Sequence, residues 1–253
     1  MSGAVRTGGA WREVLEASVR WLGAAAGLAV NALVTYSPAP DVDLLCGFPV
    51  FGLCVMAGVL AGDVIARPSP GRLRTAEVAP RSVRDQVPRL LTASVAVQAL
   101  VLVPLLVVGA ATATADAEGR PGRAWAVTCP EGVRLLAPWP GPAYVWPAFG
   151  GLLLGTAACA LLLRRIARYS TGDGQRRAAN ARAAVGAWGV LVNAPLFAIS
   201  GTMGFTLLEG SCGGTMYAVA GGGLGAVALA SAITAGHCLC VLLLPQVYVK
   251  AQS

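Results

Sequence analysis

His237, Cys238 and Cys240 are residues whose types could do chemistry, because imidazole and thiolate groups together bind soft metal ions. They lie in an apolar stretch near the C-terminus, and His237 is the only histidine in the chain. On a helix, however, these neighbours point in different directions and cannot converge on one ion without distortion. We therefore expect no metal site here and predict a buried histidine that donates a hydrogen bond to another helix.

Ser200 offers a second candidate, as a nucleophile with His237 as its base. The stretch Ala198-Ile199-Ser200-Gly201 invites comparison with rhomboid proteases, whose Gly-x-Ser-Gly serine pairs with a histidine. Here alanine replaces the first glycine, and Ser200 is near the end of its apolar stretch. His237 lies about twenty residues, or roughly 30 Å of helix, below the start of the next stretch. Since nucleophile and base must lie within hydrogen-bond reach, we reject this resemblance.

Asp63 is an ionisable residue within an apolar stretch, and such residues are costly in a membrane and functional by default hypothesis. It lies about two residues from the end of that stretch, where it can reach water or pair with Arg67 one helical turn on. An ion or proton site is the alternative. The position near the end favours the Asp63–Arg67 pair.

Asn31, Gln98 and Asn193 lie in three different apolar stretches. Inward-facing amides could line a polar path, or they could bond across helices at about 1 kcal/mol each, which is the commoner use. The sequence carries no phosphate loop, zinc motif, paired catalytic carboxylates or haem signature. We therefore predict no catalytic residue and no cofactor.

The elements that must position these residues follow from composition. The 253 residues are 56% hydrophobic and only 12% charged, about half the charged fraction of a soluble domain. The charges fall between apolar stretches of about 20 residues, the length that crosses a hydrocarbon core of roughly 30 Å. This pattern predicts an all-α, polytopic bundle of six transmembrane helices in one domain over residues 21–250, with spans at about 21–36, 44–66, 90–111, 145–163, 183–207 and 217–244.

Residues 1–20 are predicted to be a cytoplasmic N-terminal segment. Trp11, Val14, Leu15 and Val19 share one face of it, a pattern typical of a helix on the membrane surface. The sixth span is longer than a crossing needs. Its glycine-rich start, Gly221 to Gly225, could therefore be tilted, broken or partly outside.

The basic residues give these spans a direction. With the N-terminus inside, 16 of the 19 lysines and arginines fall on the cytoplasmic side, and only Arg120, Arg123 and Arg134 fall outside. The positive-inside rule therefore predicts an N-in/C-in protein of the cytoplasmic membrane. It also makes nucleic acid an unexpected partner, because topology accounts for most of the net charge of +7. Trp125, Trp139, Tyr144 and Trp146 then lie at the outer interface.

Cys129 and Cys212 are the two of seven cysteines placed clearly in outer connections. Because the outer face of a bacterial membrane is comparatively oxidising, a disulfide between them is plausible. Free thiols, or a pairing that involves Cys46 near the outer end of the second span, are the alternatives. Spacing alone leaves the choice open.

One segment resembles a known group of proteins. The run from Gly62-Asp63-Val64-Ile65-Ala66-Arg67-Pro68 to Pro80-Arg81-Ser82-Val83-Arg84-Asp85-Gln86-Val87-Pro88-Arg89 is similar to uncharacterised integral membrane proteins of actinobacteria such as Streptomyces. About thirty residues carry the resemblance, and it implies no known activity. It does single out Asp63 and the first arginine-rich loop.

Three functions follow as hypotheses. The two arginine-rich inner loops favour a non-enzymatic membrane component that binds membrane lipids or a cytoplasmic protein, although topology alone would also explain them. Size and inward termini also resemble six-span ABC-2-type permeases, which makes a transport subunit the first alternative. A membrane enzyme acting on a lipid-linked substrate is the second. The substrate and the oligomeric state stay open.

Overall fold

The computed structural model describes residues 7–35, 40–65, 89–169, 174–210, 212 and 214–243. These residues form six α-helices and one β-hairpin. Arg67, Lys250 and the first arginine-rich loop up to residue 88 lie outside the described residues. In chain order the elements are α1 (Thr7–Thr35), α2 (Pro40–Ile65), α3 (Arg89–Thr112), β1 (Trp125–Cys129), β2 (Gly132–Leu136), α4 (Pro142–Tyr169), α5 (Gly174–Gly210) and α6 (Thr215–Leu243).

Five helices are long and apolar enough to cross a membrane. They are found at Leu45–Ile65, Arg89–Thr112, Pro142–Ala167, Ala178–Gly210 and Thr215–Leu243. Prolines lie inside four of them, at positions 49, 104, 147 and 195, and neighbouring helices can accommodate such defects. Helix α1 is one uninterrupted helix across the predicted boundary at residue 20, and it is not among the five.

Helix α5 forms the centre of the bundle. It packs against α2, α3, α4 and α6, and 89% of its most apolar stretch is buried, against 17% for α3. It begins at Gly174, nine residues before the predicted span at 183, and α4 continues to Tyr169. Much of the second arginine-rich loop, predicted between the spans at 145–163 and 183–207, is therefore helical.

The close pairing of α5 with α6 favours glycine at position 221, in the glycine-rich start of α6. A methyl group added to Gly221 would lie 3.0 Å from the carbonyl oxygen of Gly204, and one added to Gly204 would lie equally close to the carbonyl oxygen of Gly221. Without side chains at this crossing the two backbones can approach each other closely. Helix α6 is continuous from Thr215, so of the three alternatives for this segment, tilted, broken or partly outside, a break is not observed.

The connection between α3 and α4 adds a β-hairpin, which the sequence did not predict, to the predicted helical bundle. Its strands pair antiparallel in the register Trp125↔Leu136 to Cys129↔Gly132, and Val127 and Leu136 are buried. The five-residue strands are too short to register as hydrophobic spans, so hydropathy alone assigned them to a polar loop. The hairpin covers one end of the bundle, where β2 packs against α5.

The hairpin also changes the predicted aromatic belt. Trp139 and Tyr144 are buried inside the protein, whereas Trp146 is 72% exposed. Trp139 stacks against Trp125, with ring centroids 4.9 Å apart, and its indole N–H donates to Thr112 Oγ1 at 3.0 Å. Two of the four aromatic residues predicted at the interface therefore belong to the core beneath the hairpin.

Candidate functional site

A buried ion pair lies at the end of the bundle opposite the hairpin. Glu16 and Arg20 are one turn apart on α1, and both side chains are at least nine-tenths buried. The Arg20 guanidinium donates to the Glu16 carboxylate and, at 3.0 Å, to Asn180 Oδ1 of α5. The group thus joins the first helix to the central one.

Glycines of α2 make room for this pair. A methyl group added to Gly62 would lie 3.4 Å from Glu16 Cγ, and one added to Gly58 would lie 3.1 Å from the carbonyl oxygen of Val19. Helix α1 can therefore lie directly against the α2 backbone, and the aliphatic part of Glu16 fills the space above Gly62. We call Glu16, Arg20, Asp63 and Asn180 the inner cluster.

Asp63 belongs to the inner cluster through charge. The Asp63 side chain is half-buried near the end of α2, and its carboxylate, like that of Glu16, attracts the positive charge of Arg20. Its predicted partner Arg67 lies outside the described residues, so that pair stays a prediction. Sequence reasoning missed Arg20, although the Glu16–Arg20 spacing of four residues is a signal for a helical ion pair. The carboxylates of Glu16 on α1 and Asp63 on α2 thus attract the same guanidinium, and this attraction favours the packing of α1 against α2.

Further arginines lie at the same end of the bundle as the inner cluster. Arg89 begins α3, and Arg164 and Arg165 lie in the last two turns of α4; all three are exposed. Arg182 is half-buried on α5, two residues beyond Asn180. At the opposite end, the hairpin and its flanking turns carry Arg120, Arg123 and Arg134. Exposed guanidinium groups of this kind can contact phosphate groups through paired N–H donors.

The three predicted amides lie at two separate interfaces. Asn31 is in contact with α2 at Gly47. Gln98 of α3 donates to Thr234 Oγ1 of α6 at 3.0 Å, and Asn193 donates to the carbonyl oxygen of Gly189 on its own helix at 2.9 Å. The amides therefore do not form a single path, although Gln98 and Asn193 both lie where α3, α5 and α6 meet.

His237 is exposed, which makes the prediction of a buried histidine wrong. Helix α6 packs on α5 through the face that includes Cys238. Because adjacent residues on a helix point about 100° apart, the His237 side chain points away from that face. Cys238 is fully buried and Cys240 is exposed. Within the described ranges, no three His, Cys, Asp or Glu side chains are grouped so that they could hold a metal ion.

Ser200 is fully buried and donates to the carbonyl oxygen of Leu196. Because Gly201 lies beside Ala228 and Gly189 beside Cys238, Ser200 and His237 are about two and a half helical turns apart, roughly 13 Å. They do not form a nucleophile and base pair.

Cys129 and Cys212 form a disulfide with their Cα atoms 5.6 Å apart. It ties the end of β1 to the connection between α5 and α6. Cys46, the competing partner, is not disulfide-bonded, and its thiol lies 3.9 Å from the carbonyl oxygen of Ala143. Of the alternatives considered from sequence, a Cys129–Cys212 bridge, free thiols or a pairing with Cys46, the structure contains the Cys129–Cys212 bridge.

In comparisons with known proteins, no family model, curated protein or solved structure matches the chain. The description of the site therefore depends on its own geometry.

Proposed function

We propose that this chain is a non-enzymatic component of the cytoplasmic membrane, with six spans and both termini inside, and that the end of the bundle opposite the hairpin binds anionic lipid head groups. The observation that carries the proposal is the position of Arg89, Arg164 and Arg165, which are exposed together at the end of the bundle opposite the disulfide-linked hairpin. A bacterial inner leaflet rich in anionic lipid would attract each of them by about 1 kcal/mol.

The contacts of α1 support its role as a membrane span in addition to the five helices α2 to α6. It runs along α2 through Gly23 and Gly27, each of which would bring an added methyl group within about 3 Å of the α2 backbone. Its far side exposes Trp21, Leu22, Leu28 and Leu33, an apolar surface suited to lipid. At 29 residues it is about 43 Å long. Glu16 and Arg20 of α1 are buried against α2 and α5, so neither of these two charges faces the surrounding lipid.

The orientation of the chain can be tested by cysteine labelling in intact cells. Single cysteines placed at Arg165 and at Arg134, in a background without other reactive thiols, report the two ends of the bundle. We expect a membrane-impermeant maleimide to label position 134 in intact cells and position 165 only after lysis. The reverse pattern would overturn the orientation, and with it the inner-leaflet assignment.

Lipid binding can be tested in nanodiscs that contain phosphatidylglycerol, phosphatidylcholine or a mixture of both. The lipid retained by the wild-type protein after extraction should be enriched in phosphatidylglycerol. The Arg164→Gln/Arg165→Gln double variant should lose most of this enrichment, whereas Arg134→Gln at the opposite end should keep it. Equal retention of both lipids by all three proteins would contradict the proposal.

The permease and the lipid-linked enzyme stay predictions from the sequence. An ATPase that co-purifies with the chain from native membranes would favour the permease. Activity on a lipid-linked substrate that is lost in Asp63→Asn would favour the enzyme.

A further inference from the structure

Two buried amide oxygens at the junction of α3, α5 and α6 lack hydrogen-bond donors. Among the residues that the structure describes, Asn193 Oδ1 and Gln98 Oε1 accept no hydrogen bond, and each oxygen is shielded from solvent. Asn193 is fully buried. An unsatisfied buried acceptor costs about 1–3 kcal/mol, so native proteins rarely leave one without a partner.

The two amides lie at one level of the bundle. A methyl group added to Gly189 would be 3.2 Å from Val95 Cγ2 of α3 and 3.3 Å from Cys238 Cβ of α6, which fixes where the three helices meet. Asn193 is four residues beyond Gly189 on α5, and Gln98 is three residues beyond Val95 on α3. Both are therefore about one turn further toward the hairpin, on the same helix faces as those contacts.

Thr234 completes this layer from the third helix. It precedes Cys238 by four residues on α6, which runs in the opposite direction, so it reaches the same level. Its hydroxyl accepts from Gln98 Nε2 at 3.0 Å and donates to the carbonyl oxygen of Ala230 at 2.9 Å. With its proton committed to its own helix, Thr234 cannot supply the amide oxygens with a donor.

We propose that one water molecule is bound between Gln98 and Asn193 and donates a hydrogen bond to each amide oxygen. A buried water has two donors and characteristically joins two to four polar groups that would otherwise be unsatisfied. The carboxamides and the threonine of this layer are uncharged, which favours a neutral ligand over a cation. The water would link α3 to α5 about one helical turn from the contacts among Val95, Gly189 and Cys238, toward the hairpin.

Hydroxyl-radical footprinting tests this site in the full-length protein in nanodiscs. Radiolysis of a bound water produces radicals beside it, and Cys238 is a susceptible side chain one turn away. Cys159 is the matched control, because it is also a buried free thiol but faces α5 at Ala184. We expect Cys238 to be oxidised faster than Cys159 in the wild-type protein, and at the rate of Cys159 in the Gln98→Leu/Asn193→Leu variant. An equal rate at both cysteines in the wild type, or a fast rate at Cys238 that survives in the variant, would overturn the proposal.

A double-mutant comparison of thermal unfolding provides a second test and remains informative if one variant is poorly stable. If one water joins the amides, either single change to leucine leaves the other oxygen without its bridge. The fall in Tm of the Gln98→Leu/Asn193→Leu variant should therefore be smaller than the sum of the falls in the two single variants. Ser200→Ala is the control, because Ser200 is a buried polar residue of α5, like Asn193, but bonds to Leu196 of its own helix. Its loss of Tm should simply add to that of Gln98→Leu.

Additive effects of Gln98→Leu and Asn193→Leu would contradict a shared water. A rise in wild-type Tm with sodium or potassium chloride but not with choline chloride, abolished by Asn193→Leu, would replace the water with a monovalent cation and would also overturn the proposal.

Discussion

Arg20 of α1 donates a hydrogen bond to Asn180 Oδ1 of α5 at 3.0 Å, across 160 positions of sequence, while it remains paired with Glu16. The bond fixes the first helix to the central helix at the end of the bundle opposite the hairpin. Because Glu16 and Arg20 are both buried, their energies are coupled: each charge is tolerated in the bundle through the presence of the other.

Replacement of Arg20 alone should therefore lower the free energy of unfolding more than replacement of both Glu16 and Arg20. Arg20→Met leaves the Glu16 carboxylate buried without its main counter-charge, and we expect a loss of roughly 3–5 kcal/mol of unfolding free energy. Glu16→Gln/Arg20→Met should recover much of that loss. The measurement is reversible unfolding in mixed detergent micelles, followed by circular dichroism.

Ser18→Ala is the control for these variants, since Ser18 lies on the same helix but is exposed and bonds to the carbonyl oxygen of Val14. It should unfold within about 0.5 kcal/mol of the wild type. If the double variant is as unstable as Arg20→Met, the two charges are not coupled as described.

Gly58 should be far less tolerant of substitution than Gly222. A methyl group on Gly58 would lie 3.1 Å from Gly23 Cα, so Gly58→Ala must separate α1 from α2, whereas one on Gly222 meets nothing within 4 Å. We expect Gly58→Ala to lower the unfolding temperature. Gly222→Ala should leave it unchanged or raise it, because alanine favours a helix by about 1 kcal/mol over glycine. Similar behaviour of the two variants in a thermal-shift assay would contradict the close α1–α2 contact.

The sequence predicted the apolar helices well because the lipid core imposes a length on them. The apolar stretch expected at about 90–111 is a helix at Arg89–Thr112, long and apolar enough to cross a membrane. Hydropathy measures the same property that a bilayer selects, namely about 20 apolar residues in a row. The ends were less accurate where a helix continues past the apolar stretch, as α5 does toward Gly174.

Contacts between distant residues could not be predicted in this way. Burial of Glu16 and Arg20 depends on Gly62 and Asn180, which are brought beside them only by the fold. The exposure of His237 depends on which face of α6 packs on α5, and an almost uniformly apolar helix gives no periodicity from which to infer that face. The hairpin was missed because hydropathy was read over stretches of about 20 residues, and its two strands are five residues each.

The Cys129–Cys212 disulfide should be detectable by peptide mapping without reduction. It closes a loop of 83 residues in sequence, and loss of such a link typically costs 2–4 kcal/mol. We expect Cys129→Ser/Cys212→Ser to unfold at a lower temperature, and reducing agent to lower the wild-type value toward it. Cys240→Ser, which removes an exposed free thiol, should leave stability unchanged. Insensitivity of the wild type to complete reduction would show that the bond does not stabilise the hairpin.

The turn before the hairpin should loosen in acid. Burial opposes the ionised form of Asp116, but hydrogen bonds from the backbone and side chain of Arg120 and from the backbone of Glu118 outweigh it, and the pKa of Asp116 is lowered. A lowered folded-state pKa adds stability above the unfolded value, and that contribution is lost as the pH falls through the folded value. The loss therefore begins below about pH 4.

The acid effect can be followed by the fluorescence of Trp125, which begins the strand after this turn, and of Trp139, whose backbone N–H donates to the Arg123 carbonyl oxygen. Asp116→Asn should show the loosened turn at neutral pH and little further change in acid, while Glu131→Gln, which changes an exposed carboxylate between the two strands, should titrate like the wild type. An identical titration of wild type and Asp116→Asn would assign the change to another group.

Tyr144 and Pro195 give the last prediction. The Tyr144 hydroxyl donates to the carbonyl oxygen of Pro195 at 3.1 Å, and both residues are buried. Tyr144→Phe keeps the ring and removes this bond between α4 and α5, so we expect a loss of about 1 kcal/mol, measured by reversible unfolding in mixed micelles. Trp146→Phe, two residues along α4 and 72% exposed, should change stability by less than half as much. If Tyr144→Phe is as stable as the wild type, the Pro195 carbonyl has another donor and the tyrosine contributes by packing alone.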